Sequence, residues 1–406
     1  MRKKTILFVM IIILTNVYGI CAAERKNQNI SISIMGDVLL TRGVGKMIEV
    51  HGVDYPWKYV SHILNKQDLA LINLETSIGM SGKAMIDKEY TFQSSPETLK
   101  GVVSAGIDGV AIANNHILDY GQDGFIETLK NLKKMGIKYA GGGRNHEEAL
   151  KPAIWEVNGM KVGFLAFSRV IPNMNWYASD ARAGITSAYD YYLDSVCETI
   201  DKTKKEVDFL IVSLHWGKEL QSDPDKKDIR AARQLIDSGA DLIMGHHPHV
   251  LQGIEIYKNK PIVYSLGNFV FNARGKQSNQ TMIFNLEVNK KGIAKLNVIP
   301  ILIKGGQPRI AEGKEKEEII HMLNQRSKAW NVQILFNGDI EGNIEYIKDE
   351  TQDSEENKTE ENKPCEVDVQ GQSKKSAGKI KLLWIKFIDP FVEGVRKVAN
   401  EVITFL

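Results

Sequence analysis

Three histidines stand within five residues of this chain, in the segment Gly245-His246-His247-Pro248-His249. Packed cores seldom accumulate imidazoles, whereas divalent transition metals bind them readily. Pro248 fixes its own φ and favours an extended backbone at His247, so the side chains of His247 and His249 are expected on the same side of the chain. The segment predicts a metal site, and the alternative is a polar surface turn that carries histidines by chance.

Other residues that bind metals or move protons follow four further apolar runs, each of which is predicted to be a strand. In open α/β sheets, ligands gather beyond the carboxyl ends of strands, so these loops are expected to converge on one crevice. Any one of them alone would be weak evidence, and their recurrence is the informative feature. The four segments are Met35-Gly36-Asp37, Asn73-Leu74-Glu75, Ala113-Asn114-Asn115-His116 and Leu214-His215-Trp216-Gly217.

An α/β domain is the expected frame for these loops. From residue 30 to about residue 300, short runs of Val, Ile, Leu and Phe alternate with longer amphipathic segments. The pattern predicts strands at 31–35, 69–73, 109–113, 161–167, 209–214, 242–244, 261–266, 282–288 and 294–300. It predicts helices at 56–64, 96–105, 123–135, 189–204, 227–238 and 314–326, and a closing segment at 332–346.

Length and composition limit the classes of protein to consider. A chain of 406 residues, 43% of them hydrophobic, can bury one large core or two modest ones. A formal net charge of +2 does not call for nucleic acid, and no nucleic-acid partner is expected. Only Cys197 and Cys365 would remain after removal of a leader, so stability must come from burial and not from a disulfide framework.

The N-terminus predicts export from the cytoplasm. Basic residues at 2–4, an apolar stretch at 6–14 and small residues at 21–23 are typical of a signal peptide, residues 1–23, cut after Ala23. An uncleaved membrane anchor is the alternative. Lipid attachment is disfavoured because Ile20, which is not a small residue, precedes Cys21. The mature protein is therefore expected to be extracytoplasmic, either secreted or associated with the cell envelope.

The composition changes sharply after Lys348, which ends a predicted domain at 24–348. Residues 349–378 are rich in Glu, Asp, Lys, Gln and Ser and predict a disordered charged linker. Residues 379–406 are amphipathic and basic, which suits an anionic membrane surface. Docking on a subunit of a polymer synthase, or on the chain's own domain, fits this segment equally well.

Taken together, the motifs resemble those of the bacterial capsule-synthesis protein CapA family, which is associated with poly-γ-glutamate. The resemblance covers roughly residues 31–300, in the family's order. It implies a fold similar to calcineurin-like metallophosphoesterases, a four-layer α/β/β/α sandwich with two facing mixed sheets. The segments that carry it are Gly36-Asp37-Val38, Asn73-Leu74-Glu75-Thr76, Ala113-Asn114-Asn115-His116, His215-Trp216-Gly217-Lys218-Glu219, Gly245-His246-His247-Pro248-His249 and Ser265-Leu266-Gly267-Asn268-Phe269.

The resemblance also implies roles for individual residues. It makes His116 the residue that donates a proton or steadies charge, and it leaves His246 at a position that looks variable. Two departures, Leu39 in place of a ligand histidine and Glu75 in place of an aspartate, favour one tightly held ion and a weaker second site. The implied metal ligands are Asp37, Glu75, Asn115, His215, His247 and His249.

Charged and aromatic residues beside these motifs predict how a substrate is held. Arg42 and Lys218 are the expected substrate-binding cations for an anionic polymer such as a γ-glutamyl chain. Arg144 and Arg169 also lie in loops near the motifs and could bind such an anion, but ordinary solvated charge is the favoured interpretation for both. Glu219 would orient either Lys218 or a ligand histidine, and Trp216 is expected to pack beneath the site, not against substrate.

Carboxylate, amide and imidazole ligands suit one or two ions of Mn²⁺, Zn²⁺ or Fe²⁺. Such an ion lowers the pKa of bound water to about 7 and polarises an electrophile. The leading hypothesis is therefore a metal-dependent hydrolase that acts in synthesis, release or trimming of poly-γ-glutamate or a related envelope polymer. The alternatives are a metallophosphoesterase acting on phosphate esters and a non-catalytic, membrane-associated component of a polymer synthase or export complex.

Overall fold

The computed structural model describes residues 29–272 and 274–347. The predicted signal peptide (1–23), charged linker (349–378) and C-terminal amphipathic segment (379–406) lie outside the described residues. In the part of the chain that the structure describes, every helix is too short or too polar to cross a lipid bilayer.

The strands and helices alternate along most of the chain. The strands are β1 (Ile30–Val38), β2 (Leu69–Leu74), β3 (Ser77–Ile78), β4 (Gln93–Ser94), β5 (Gly109–Ala111), β6 (Lys138–Ala140), β7 (Gly142–Gly143), β8 (Ala153–Val157), β9 (Met160–Ser168), β10 (Gly184–Ile185), β11 (Phe209–His215), β12 (Leu242–His246), β13 (Ile254–Tyr257), β14 (Lys260–Val263), β15 (Asn268–Val270), β16 (Gln280–Asn289), β17 (Gly292–Lys304), β18 (Gln307–Ile310), β19 (Gln333–Ile334) and β20 (Ile340–Glu341). The α-helices are α1 (Arg42–His51), α2 (Ser61–Leu64), α3 (Thr98–Ser104), α4 (Gly121–Lys134), α5 (His146–Ala149), α6 (Leu193–Lys204), α7 (Lys226–Asp237) and α8 (Gly313–Ser327).

Two mixed sheets organise the fold. The first sheet has the strand order β18-β17-β16-β1-β2-β5-β6, and β15 pairs with the end of β1. Its strands β1, β2, β5 and β6 run parallel, whereas β16, β17 and β18 extend it antiparallel. The second sheet has the order β13-β14-β12-β11-β9-β8, with a parallel centre formed by β14, β12, β11 and β9. All but one residue of β1 and every residue of β11 are buried, as expected for central parallel strands covered on both faces.

The sheets pack face to face with helices outside them. One hydrophobic cluster joins the two sheets to α3 and α4 and includes Ile34, Val102, Phe125, Phe164 and Met244. A second cluster lies between the second sheet and α6 and α7 and includes Val196, Ile200, Val212, Leu235 and Ile243. The α/β class and the layered arrangement with two mixed sheets, expected from the sequence, are confirmed.

Two helical regions differ from the sequence-based prediction. The helix predicted at 56–64 is wrong in part, because a 3₁₀ turn (Tyr55–Trp57) precedes the short α2 and together they bury Trp57 and Val60. The helix α1 was not predicted. It buries only Val44 and Ile48, one helical turn apart, and its glycines and valines are weak helix formers that hide it.

Candidate metal centre

The loops at the carboxyl ends of the central strands converge, as the strand-end motifs predict. Three groups of side chains bring their ligand atoms within 4.8 Å of one another. Asn115 joins the same cluster, since its Oδ1 lies 2.7 Å from His215 Nε2. The three groups are Glu75 with His215 and His247, Asp37 with Glu75 and His249, and Glu219 with His247 and His249.

Two glycines let the strands that carry the site approach one another. A Cβ on Gly36 would lie 1.9 Å from the carbonyl oxygen of Gly267, and one on Gly245 would lie 1.9 Å from that of Tyr264. Neither backbone can yield, so only glycine fits at either position. Because each glycine directly precedes a site residue, these contacts fix where the following side chains begin.

The backbone of the histidine segment is strained, which corrects the prediction of an extended chain at His247. His247 has φ +92° and His249 has φ +56°. Positive φ costs a residue with a Cβ about 1 kcal/mol or more and persists only where the surroundings enforce it. Here Pro248 accepts a hydrogen bond from Leu220 (2.8 Å), and the His247 amide points at Asp37 Oδ2 (3.4 Å). Both imidazoles therefore reach the site through a tight turn and not through strand alternation.

The Asp37 half of the site, defined here as Asp37, His246 and His249, is satisfied by hydrogen bonds within the protein. Asp37 Oδ1 accepts from Asn73 (2.9 Å) and from His246 Nδ1 (3.0 Å), and its Oδ2 lies 3.1 Å from His249 Nδ1. Burial would raise the pKa of Asp37, but the hydrogen bonds from the two histidines hold it well below its usual value. This carboxylate is therefore ionised and fully engaged.

His249 lies between the two buried carboxylates of Asp37 and Glu75, where a cation would be expected. Burial alone would lower the pKa of His249, but the charges of Glu75 and Asp37 and a hydrogen bond to Asp37 raise it to about 10. Its Nε2 lies 3.7 Å from Glu75 Oε1. The proton on His249 thus supplies positive charge that this pair of acids requires.

Glu75 is the least satisfied group of the cluster. It is fully buried, and neither of its oxygens accepts a hydrogen bond from any residue that the structure describes. Burial raises the pKa of Glu75 well above its usual value, against the opposing charge of His249. A buried carboxylate without donors is costly unless a proton or a cation neutralises it.

The His215 half, defined as Asn115, His215 and His247, faces this carboxylate. His215 Nε2 lies 3.7 Å from Glu75 Oε1, and the rings of His215 and His247 lie 4.8 Å apart. Burial, aided by the charge of His247, holds the pKa of His215 well below its usual value, and burial together with the charge of His249 lowers the pKa of His247 to about 3. Both imidazoles are therefore neutral at physiological pH, the form that binds metals.

The donor set therefore fits a divalent transition metal. An unpartnered carboxylate and two neutral imidazoles bring their ligand atoms within 4.8 Å of one another, and the amide oxygen of Asn115 lies 2.7 Å from one of these imidazoles. His247 Nδ1 and His246 Nε2 are also buried with no hydrogen-bond partner among the described residues. Such a set matches the preferences of Mn²⁺, Zn²⁺ or Fe²⁺.

His116 lies at the edge of the cluster and is held by residues that the sequence did not single out. Its Nδ1 lies 2.7 Å from Asp119 Oδ2, and its ring packs on Phe92 with centroids 4.2 Å apart. Lys88 Nζ lies 3.0 Å from the same nitrogen and donates to Asp119 and to the carbonyl of Asn115. Burial lowers the pKa of His116, while the hydrogen bond to Asp119 opposes that shift.

The two expected substrate-binding cations lie on the solvent side of the site. The guanidinium of exposed Arg42 lies 4.9 Å from the Tyr90 ring centroid and 5.1 Å from that of Phe92. The Lys218 side chain is 70% exposed, and its Nζ lies 3.9 Å from Asp225 Oδ2 in a long surface ion pair. Both cations are accessible to an anion from solvent.

Arg169 corrects another sequence-based expectation, whereas Trp216 confirms one. Arg169 is buried between Asp190 and Asp228 and is not solvated charge. Arg144 is exposed, as expected. Trp216 is 1% exposed, donates from Nε1 to the carbonyl of Tyr264 and stacks on that ring beneath the site.

Sequence reasoning missed several residues of the site. His246 looked variable, yet it hydrogen-bonds to Asp37 and is fully buried. Asp119 had a usable signal, since an acid three residues after a histidine on a tight turn is well placed to bond it. Lys88 had none, because it comes from a loop without regular structure between β3 and β4.

Fold and site together define an α/β sandwich protein with a cluster of metal-ligand residues at its strand ends. The model of the family "Bacterial capsule synthesis protein PGA_cap" matches residues 31–273, more than half of the chain. The chain therefore belongs to this family of bacterial capsule synthesis proteins, as the motifs predicted.

Two curated relatives agree with that assignment. "Capsule biosynthesis protein CapA" of Bacillus anthracis is 30% identical over 306 residues, covering 74% of each chain. "PGA biosynthesis protein CapA" of Bacillus subtilis is 31% identical over 309 residues, covering 75% of this chain and 80% of that one. The NAD nucleotidase NadN of Haemophilus influenzae aligns in structure over 82% of this chain and 67% of its own, at 13% identity and a TM-score of 0.40, which is too low to support any inference.

Proposed function

We propose that this protein is an extracytoplasmic, metal-dependent hydrolase that acts in synthesis, release or trimming of poly-γ-glutamate or a related envelope polymer. The observation that carries the proposal is the buried, unpartnered carboxylate of Glu75 facing two neutral imidazoles and an amide. A protein that served only as a scaffold would have no use for so costly an arrangement. The names of the Bacillus relatives support the polymer, and the basic, apolar N-terminal segment supports export.

Glu75, Asn115, His215 and His247 would hold the principal ion. When bound, Mn²⁺, Zn²⁺ or Fe²⁺ supplies Lewis acidity and lowers the pKa of a coordinated water to about 7. Asp37 helps to position the ligands through its contacts with His246 Nδ1 and with the backbone amide of His247. Hydrolysis of a γ-glutamyl amide breaks the C–N bond, adds hydroxide to the carbonyl carbon and delivers a proton to the leaving amine.

His116 is placed to deliver that proton. Asp119 holds Nδ1, so Nε2 is the nitrogen left to serve the substrate. Burial and the charge of Lys88 lower the pKa of His116, whereas the hydrogen bond to Asp119 favours the imidazolium, so the group can both take up and release a proton. Arg42 and Lys218 would bind the free carboxylates of the polymer on the solvent side.

The test uses the purified full-length protein loaded with Mn²⁺ and two substrates, poly-γ-glutamate and an aryl phosphate. Shortening of the polymer, measured by gel filtration, without release of the phenol is the expected result. Cleavage of the phosphate alone would make the protein a phosphoesterase. If neither reacts, and replacement of His247 leaves capsule formation by cells intact, the protein acts without catalysis.

The proposed role of His116 has its own test. In His116→Gln, turnover should fall about 100-fold or more, because a positioned proton donor contributes about that factor. Metal content, measured by inductively coupled plasma mass spectrometry, should stay at the wild-type value. A matching loss of metal would make His116 a ligand and remove it from the proton-transfer role.

A further inference from the structure

The resemblance to the metallophosphoesterases implies a ligand histidine in the Asp37 half that this chain does not have. The position two residues after Asp37 is Leu39, which is 3% exposed and apolar. Asp37 itself is engaged by hydrogen bonds on both oxygens. A second cation would therefore have to recruit a donor from elsewhere in the chain.

The loop that follows β11 brings such a donor to the site. Gly217 turns the chain at φ +80°, a conformation that favours glycine, and Leu220 then donates its amide to the carbonyl of Pro248 (2.8 Å). Gln252 donates to the carbonyl of Gln221 (2.8 Å) and fixes the far end of the loop. Glu219, between these anchors, is held against the histidine segment.

Glu219 lies near two imidazoles of the histidine segment. One of its oxygens lies within 4.8 Å of a ligand nitrogen of His247 and of one of His249. These two nitrogens also lie within 4.8 Å of each other. Its carboxylate accepts no hydrogen bond and forms no ion pair with any described residue. Since it is exposed, this freedom costs little, but it leaves both oxygens available.

We infer that Glu219 is a ligand for a second divalent cation at His249, replacing the imidazole that Leu39 cannot supply. The inference rests on the proposed metal site and extends it. His249 belongs to two ligand groups, one with Asp37 and Glu75 and one with Glu219 and His247, so a cation there has carboxylates on its buried and solvent sides.

Charge balance supports the same assignment. With an ion bound, the carboxylates of Asp37 and Glu75 offer two negative charges, which one divalent cation neutralises. A second divalent cation needs further negative charge nearby, because two adjacent dications repel strongly in a buried site. Glu219 is the additional carboxylate at the ligand nitrogens.

The experiment measures Mn²⁺ binding to the full-length protein by equilibrium dialysis and by electron paramagnetic resonance. The wild type should bind two ions per chain, and the spectrum should show coupling between them at saturation. In Glu219→Gln, the second ion should bind at least about ten-fold more weakly, the coupled signal should disappear at matched Mn²⁺, and the first ion should be unaffected. Glu219→Asp should restore part of the second affinity.

Asp223→Asn is the matched control, since it removes the same charge four residues along, from an exposed side chain outside every ligand group. It should bind two ions as the wild type does. Unchanged binding of two ions by Glu219→Gln would overturn the inference, and so would a wild type that binds only one. In the second case the proposed hydrolase still stands, whereas a wild type that binds no ion would refute both.

Discussion

The two halves of the metal centre solve the problem of buried charge in opposite ways. In the Asp37 half, every carboxylate oxygen is engaged by protein donors, and a protonated imidazole supplies positive charge. In the His215 half, the imidazoles are neutral, and the facing carboxylate of Glu75 has no hydrogen-bond donor among the described residues. The carboxylate of Asp37 is therefore satisfied without an ion, whereas the carboxylate of Glu75 requires one.

This difference sets an order of filling. An ion entering the His215 half neutralises the buried carboxylate of Glu75, and it gives up one hydrogen bond, between Asn115 and His215. An ion entering the Asp37 half must displace the proton of His249 and loosen its contact with Asp37, so its net affinity is lower. This lower affinity agrees with the weaker second site expected from the sequence, where Leu39 takes the place of the ligand histidine that the resemblance implies.

Glu75→Gln should have the largest effect, because Glu75 stands between the halves and serves both. Mn²⁺ affinity should fall about 100-fold or more, and the rise in melting temperature that Mn²⁺ gives the wild type should disappear. Calorimetry with and without Mn²⁺ measures both quantities.

Glu255→Gln is the matched control for Glu75→Gln. Glu255 is also buried, but it is paired with Arg233 and the hydroxyl of Tyr264. Its replacement should cost about 2 kcal/mol of unfolding free energy and leave the Mn²⁺-dependent shift intact. An equal loss of that shift in both variants would mean that Glu75 acts through the fold and not as a ligand.

Neighbouring residues allow the halves to be tested separately. His247→Asn keeps a residue that tolerates positive φ but removes an imidazole from the His215 half, and the first ion should bind about 100-fold more weakly. His246→Leu removes the hydrogen bond to Asp37 and should weaken the second ion, by about ten-fold. Metal titration followed by calorimetry distinguishes the two, and identical losses would abolish the distinction between the halves.

Much of this site could be predicted from sequence, because a residue that directly follows a predicted strand must lie at the end of that strand in the sheet. A buried parallel strand followed by Asp37 or His215 leaves little freedom for where the side chain lies. The pairing of Asp37 with His246 could not be predicted, since it depends on the turn at His247 and on the close approach of Gly245 to the backbone of Tyr264. Both features depend on tertiary contacts between distant segments, which local sequence does not encode.

Contributions from loops were harder to predict for the same reason. Lys88 reaches His116 from a segment whose path is set only by what it contacts, and buried Arg169 looked like surface charge because nothing local marks Asp190 or Asp228 as its partners. Residues fixed by the period of a strand were predictable, whereas residues fixed by tertiary contacts were not.

The pH dependence of stability should reveal the protonated histidine of the Asp37 half. The pKa of His249 is about 10 in the folded protein and 6.5 ordinarily, so its stabilisation is complete below about pH 6.5 and is lost as the pH rises through about 10. In chelator, the unfolding free energy should therefore decline across this range, and His249→Gln should flatten the decline. Asp37 acts oppositely: its pKa lies below the ordinary 3.8, so its contribution is lost only in acid.

Denaturant titrations at several pH values, with and without Mn²⁺, measure this effect. Bound Mn²⁺ should suppress the alkaline decline, because the ion takes over the charge that the proton supplied. A decline of equal size with Mn²⁺ would show that the ion never reaches the Asp37 half and would leave that half purely structural.

The smallest effects should come from the two cations on the solvent side, neither of which belongs to a ligand group. Arg42→Ala should raise KM for poly-γ-glutamate about ten-fold with kcat and Mn²⁺ stoichiometry unchanged, because the guanidinium is positioned by Tyr90 and by Phe92, which packs on His116. Lys218→Ala should raise KM only about three-fold, since its side chain is 70% exposed and screened by salt. If either variant lost an ion instead, the separation between ion binding and substrate binding would fail, and that residue would have to be assigned to the half whose ion was lost.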